Sequence, residues 1–313
     1  MWVNELAVMI SRYLLVFYRK YFKPFKIFQL HSNANSVKFS PDGAKIILSS
    51  QDKTIKILDV GPGEEIRILK GHTDCVNDAK FSPDGKMIVS CSNDKTIILW
   101  DAKTCTKINE CKGHTDIITS VQFSLDGKKI LSGSYDGTFR IWNVNTGEEI
   151  AILKEESGRI INLQISFDGQ QVVSTSNGQR IEIWDFKTGE KLHKLGWKYR
   201  YKKKARFSPD GLFVVSCSEE KVISIWKVIS EEQVKILKGH SDTINDVQFF
   251  PDGKNIISCS EDNTIRLWDI ELGLEVQKLE EYSGGVTGID VSPNGDMIVS
   301  SSDAETIRLW KRM

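Results

Sequence analysis

The chain is built from stretches of five or six residues dominated by Val, Ile, Leu and aromatic side chains, divided by short polar segments rich in Asp, Gly, Asn and Lys. One unit shows the grammar. "VNDAKF" is followed by a Pro-Asp-Gly turn at Pro83–Gly85, then "MIVSCS", a turn at Asn93–Lys95, "TIILWD", a further turn, and "TKINEC". Runs this short, enriched in β-branched residues and bounded by turn chemistry, predict four β-strands rather than helices. The glycine ends the first turn because the backbone there needs a positive φ, which glycine adopts without a Cβ clash.

The unit recurs with a fixed step. "SPDG" ends at Gly43, Gly85 and Gly211, and variants end at Gly127, Gly169, Gly253 and Gly295, always 42 residues apart. A second landmark keeps the same step at Trp100, Trp142, Trp184, Trp226, Trp268 and Trp310, with Leu58 in the first place. Seven units therefore follow one another without insertion or deletion. Self-similarity at this period means an array of supersecondary units, each burying its apolar faces against its neighbours.

The stretch "GHTDCVNDAKFSPDGKMIVSCSNDKTIILWD" resembles a WD repeat, with its Gly-His pair at Gly71–His72 and its Trp-Asp pair at Trp100–Asp101. The resemblance runs from about residue 25 to residue 313. It implies an all-β fold, a seven-bladed β-propeller. The last unit stops after its third strand, at "TIRLWKRM", while "FKIFQL" at Phe25–Leu30 resembles the fourth strands elsewhere. An N-terminal strand is thus expected to pair with the last blade, closing the ring and removing an open edge.

Residues 1–24 fall outside the array and leave 25–313 for the propeller. The stretch "MWVNELAVMISRYLLVFYRKYFKP" predicts an apolar, amphipathic helical extension ended by Pro24. Its charges are too closely spaced for a membrane-spanning helix, and it lacks the basic start and small-residue cleavage site of a leader. Packing on the propeller or a partner is the favoured reading, with contact to a membrane surface second.

Composition narrows the functional classes. The 42 basic and 42 acidic residues cancel, so a global electrostatic footprint for nucleic acid is absent. Cys91, Cys217 and Cys259 all sit in "SCS" at multiples of 42 residues, which makes them one buried position repeated in different units. Without any C-x-x-C pair, zinc is not expected, nor any other metal or cofactor. The thiols are read as reduced, which suits a cytoplasmic or nuclear protein.

Three repeats carry Ser, His and Asp together: His72, Ser90, Asp94 with Trp100; His114, Ser132, Asp136 with Trp142; and His240, Ser258, Asp262 with Trp268. The resemblance implies that these form a buried hydrogen-bond chain pinning a loop to its blade. A catalytic centre would occur once; repetition marks architecture. The fourth repeat departs with Glu156 and Gly178, the fifth with Lys198 and Glu220, and the seventh with Tyr282 and Ala304, so those blades are expected to be less rigid. Only two histidines remain outside the three sets, and no phosphate-cradling glycine loop occurs, so the chain is not expected to be an enzyme.

The resemblance also implies docking on the face carrying the loops before the first strand and between the second and third. Three registers should ring that mouth of the channel, and they supply the candidate partner-binding residues Asn77, Ile117, Tyr135, Arg159, Tyr201, Lys203, Glu219 and Glu261. Trp197 and Tyr199 join them from a stretch of unusual chemistry, "GWKYRYKKKARF", where six basic residues fall in nine positions. Two accounts of it compete. Lys202 and Lys204 could pair internally with Glu219 and Glu220, or with Glu155 and Glu156 next door. Alternatively the stretch forms a basic, aromatic lip for an acidic or phosphorylated segment, with nucleic acid less favoured.

The resulting expectation is a rigid, non-catalytic scaffold that presents its faces to other proteins, with no obligate oligomer implied. A reader of acidic, phosphorylated or nucleic-acid ligands is the alternative. So is a ubiquitin-ligase substrate adaptor, although Lys103, Lys187 and Glu271 stand where such adaptors carry arginine after Trp-Asp.

Overall fold

The second strand of each repeat is buried along nearly its whole length and the third over much of it, as in Met87–Ser92 and Thr96–Asp101 of the second repeat. Strands covered on both faces need continuous apolar runs, which is what these segments supply. The fourth strand, Lys107–Lys112, is largely exposed or half-buried and correspondingly more polar.

The structure, a computed structural model, describes residues 21–61, 66–155, 158–177, 180–196, 202–280 and 283–313, with only the backbone of Lys202 and Lys203. These residues form seven four-stranded antiparallel sheets arranged as a seven-bladed β-propeller. Within each sheet the strands pair in chain order, and the first strands of successive blades neighbour one another around a central channel. No helix occurs among the described residues. The core lies between blades: Val89, Leu99 and Cys111 of the second pack with Ile118, Val121 and Trp142 of the third. Each fully buried side chain of this size contributes on the order of 2 kcal/mol.

The ring closes where the sequence places the closure. The strand Phe22–Gln29 pairs antiparallel with Thr306–Arg312 and completes the seventh blade. It begins three residues earlier than the reading of Phe25–Leu30. Pro24 therefore does not end a helix but sits inside the strand, opposite Trp310, where the register shifts before Lys26. Proline is admissible there because this is the outer edge strand and the ladder is interrupted by a bulge. Phe22 is buried against Phe250, with ring centroids 5.8 Å apart. The rest of the predicted extension, residues 1–20, lies outside the described residues.

Two local devices repeat. In the first turn, Gly85 has φ 71°, its N–H donates to the Ser82 carbonyl at 2.9 Å, and Ser82 Oγ donates to Asp84 Oδ1 at 2.6 Å. Every inner strand also carries a bulge near its start, between Val76 and Asp78 in the second blade and at the equivalent place in the other six. The extra residue of a bulge is unpaired in its own ladder and its side chain is re-aimed.

Candidate functional site

The three Ser–His–Asp sets have the spacing of a catalytic triad and the surroundings of a structural strut. Trp100 Nε1 donates to Ser90 Oγ at 2.9 Å, Ser90 Oγ lies 2.8 Å from His72 Nε2, and His72 Nδ1 lies 2.8 Å from Asp94 Oδ2. Asp94 also accepts the Thr73 N–H and the Thr96 hydroxyl, so it ties the loop before the first strand to the turn after the second. The same chain runs through Trp142, Ser132, His114 and Asp136, and through Trp268, Ser258, His240 and Asp262. With the indole donating to serine, serine donating to Nε2 and Nδ1–H donating to the carboxylate, one tautomer satisfies every atom. Burial pushes the pKa values of His114 and His240 down, against the pull of their aspartates, so both rings are held neutral. Ser90, Ser132 and Ser258 are each 0% exposed. No substrate can reach a hydroxyl so placed.

The departing blades are not simply looser. In the fourth, Glu155 takes over part of the role of histidine: its Oε2 accepts a bond from Ser174 Oγ at 3.3 Å, and Ser174 accepts the Trp184 indole at 3.0 Å. Glu155 is also hydrogen-bonded to Glu182, which Lys191 Nζ approaches at 2.8 Å. Burial pushes the Glu182 carboxyl up to about 7, assisted by the hydrogen bond from its neighbouring carboxyl and opposed by Lys191. In the first blade Ser32 links Ser50 to Asp52, which pairs with Lys56. Sequence reasoning missed both substitutes because each sits one or two places out of the repeat register. Glu156, Gly178, Lys198 and Tyr282 lie outside the described residues.

The mouth registers converge as a set. Backbone bonds from Gln51 to Asn33, Asn93 to Cys75, Tyr135 to Ile117, Asn177 to Arg159, Glu261 to Thr243 and Asp303 to Gly285 hold two of them side by side. Half-buried Tyr135 and exposed Arg159 meet across the third and fourth blades, the guanidinium 5.3 Å from the ring centroid. Ile117 is half-buried beside Tyr135, and Glu219 is exposed on its turn. Glu261 accepts Asn245 Nδ2 at 2.6 Å and faces Asp303, whose carboxyl is pushed up by burial and then by the Glu261 charge. Gly285 makes room for this pair: a Cβ there would fall 2.2 Å from Glu261 Oε2. Trp197, Tyr199 and Tyr201 lie outside the described residues, and of Lys203 only the backbone is placed.

The register of Asn77 has a second occupation. It is the bulge register, and its side chains stitch blade to blade. Asn35 donates to the Val76 carbonyl, Asn77 to Ile118, Thr119 to Ile160, Asn245 to Val286 and Thr287 to Ala34. Asn77 Nδ2 also donates to Asn93 Oδ1 at 2.8 Å, so both amide hydrogens are used within the ring. Ile161, at the same register, has no donor to offer.

The internal partner expected for Lys204 is replaced by another. Its Nζ lies 2.9 Å from Asp246 Oδ2, one blade further on, rather than against Glu219 or Glu220. The reason is direction: Lys204 projects into the channel, where residues 42 apart on neighbouring inner strands are adjacent. Two rings line that channel. One runs Ser36, Asp78, Ser120, Asn162, Lys204, Asp246, Gly288, and the other Lys38, Lys80, Gln122, Gln164, Arg206, Gln248, Asp290. Arg206 NH2 also reaches Asp246, at 3.0 and 3.1 Å from its two oxygens. Burial alone would push the Asp246 carboxyl up, but Arg206 and Lys204 hold it well below the usual carboxylate range.

Seven blades, six of them anchored by a hydrogen bond from tryptophan to serine, define a WD-repeat propeller. The comparisons agree: a family model described as the IFT122 first beta-propeller matches residues 33–201, over half of the chain, and the WD domain, G-beta repeat model matches residues 203–227, 231–269 and 273–311. The chain belongs to this family of WD-repeat β-propellers. No curated protein matches it.

Proposed function

We propose that the protein is a rigid, non-catalytic platform that assembles a multiprotein complex through the channel mouth carrying Tyr135 and Arg159. The observation that carries this is the division of labour between polar groups. The Ser–His–Asp sets are sealed inside blades, whereas Arg159 stays exposed on an aromatic face. Propellers of this family generally bind other proteins and are generally non-catalytic, which supports the same reading. On one side of the mouth the fourth blade offers the exposed Arg159, and on the other the sixth and seventh blades offer Glu261 and Asp303. A partner segment with acidic character suits the first side, since a guanidinium already oriented by a ring loses little freedom on pairing with a carboxylate or phosphate.

Affinity capture with quantitative mass spectrometry tests it. Reversing Arg159 and Lys203 to glutamate should remove specific partners, and binding should weaken as salt rises. Reversing Lys86 and Lys128, exposed at the opposite ends of their inner strands, should leave capture unchanged. Equal capture by both double variants, with melting temperatures intact, would reject the mouth as the docking face.

A further inference from the structure

Inside the channel the charges do not balance. Among the described residues its two rings carry four cations, Lys38, Lys80, Lys204 and Arg206, against three carboxylates. Lys38 lies 3.4 Å from Asp290 and Lys80 lies 3.4 Å from Asp78. Asp246 must serve both Lys204 and Arg206. The excess charge faces a sector with no ionisable group in either ring, formed by Asn162, Gln122 and Gln164 of the third and fourth blades.

That sector is dressed with donors. Gln164 Oε1 accepts the Phe207 N–H at 2.8 Å, and Gln122 Oε1 accepts Lys80 Nζ at 3.3 Å. With both amide oxygens so engaged, it is the NH2 groups that remain for the channel. Arg206 Nε is buried and has no partner. A buried N–H without an acceptor is costly even where the rest of the guanidinium is paired, as here with Asp246, and an anion oxygen relieves it. Space is available: a cavity of about 310 Å³ is lined by the cations Lys38, Lys80, Lys204 and Arg206, by Gln122 and Gln164, and by one carboxylate, Asp78, which Lys80 pairs. It extends to Asn35, Asn77 and Thr119 at the mouth, while Gln164 and Arg206 also line a second cavity of about 360 Å³ toward the opposite face.

We propose that this wall of the channel is a binding site for a tetrahedral oxyanion, a phosphate group, held by Arg206 and Lys204 and by the side-chain amides of Gln122 and Gln164. The site lies deeper than the docking mouth and does not use Arg159, so the two readings stand or fall separately. The phosphate can arrive as the free ion or on a phosphorylated side chain entering from the mouth, and both sources share the same recognition chemistry.

Calorimetry and thermal melting with inorganic phosphate, against sodium chloride at matched ionic strength, test the proposal on the whole chain. Saturable phosphate binding with a rise in melting temperature is expected. Gln164→Glu keeps the oxygen that accepts the Phe207 N–H but sets a carboxylate in the wall, and should weaken binding at least tenfold. Gln122→Glu should do the same from the neighbouring blade. A phosphoserine peptide that binds at least tenfold more tightly than free phosphate, and loses that binding in the same variants, identifies the side-chain source; comparable affinity identifies the free ion. No saturable binding above the chloride control, or affinities within twofold of wild type in both folded variants, overturns the site.

Discussion

Arg159 and Tyr135 lie on different blades, 24 residues apart, and meet with the guanidinium 5.3 Å from the ring centroid. Each projects from a different loop, so their contact exists only once two blades are packed side by side. Tyr135→Ala should therefore release Arg159 without altering charge. A partner that recognises the oriented guanidinium should dissociate faster from this variant, by a few-fold, while the melting temperature stays within about 1–2 °C. Surface plasmon resonance on the captured partner checks this. An unchanged off-rate would show that the ring does not matter.

Asp94 accepts bonds from His72, the Thr73 N–H and the Thr96 hydroxyl. Asp94→Ala should destabilise by roughly 1–3 kcal/mol, since it strands a buried imidazole donor. Ala304→Asp should change little, because Tyr282 stands at the histidine position of that blade. Equal shifts in denaturant midpoint for the two would contradict the assigned strut.

Acid should undo the struts together. The Asp136 carboxyl would be raised by burial, yet bonds from Thr138 and His114 bring it down from 3.8 to about 2. A carboxylate depressed on folding contributes stability above its unfolded pKa and loses it as pH falls through the folded value. His114 and His240, also depressed, add a penalty once pH falls below about 6.5, where the unfolded rings take up protons more readily. Stability should decline from about pH 6.5 and collapse between about pH 4 and 2. Asp136→Asn should flatten the lower part of that profile in urea titrations.

The fourth blade should behave in the opposite sense. Glu182 is raised from 4.5 to about 7, so its favourable contribution is present below about pH 4.5 and is lost as pH rises through 7. Glu182→Gln should remove this component. The difference in unfolding free energy between wild type and variant should drift in one direction from pH 4.5 to 8, and a pH-independent difference would exclude the shared-proton pair.

Closure sets the last expectation. Phe22 is buried against Phe250, and Phe22→Ala should cost about 3–5 kcal/mol. Removal of residues 1–20 should leave a folded ring, whereas removal of residues 1–30 should expose the edge of the last blade and broaden the melting transition. Circular dichroism and calorimetry on the two truncations separate these outcomes.

Most of the fold was legible because it is periodic. The SPDG turns and the tryptophans state the blade count, and "FKIFQL" announces the closing strand. What stayed hidden lies off the register. Glu155 replaces histidine from the neighbouring position, which only the folded loop path brings to Ser174, and in the first blade, which lacks the serine and tryptophan of the strut, Ser32 ties down Asp52. Lys204 pairs with Asp246 one blade further on, not with Glu219 or Glu220 of its own blade or Glu155 of the blade before, because inner-strand side chains meet residues one whole repeat away. Asn77 follows the same rule: its bond to the Ile118 carbonyl crosses between blades.

The closing pair has a mechanical consequence. Phe22 is opposite Arg312 and Gln29 opposite Thr306, so the outward-leading ends of the two strands lie at the same end of the ladder. Tension applied through residues 22 and 312 would load one rung at a time, peeling the strands apart like a zip instead of shearing all their bonds at once. Optical-trap pulling from those positions should open the seventh blade at low force, before any of the six blades that are each made from one continuous segment. Of the seven blades only this one is joined from two distant segments, so the ring has a single seam, and that seam is expected to open first.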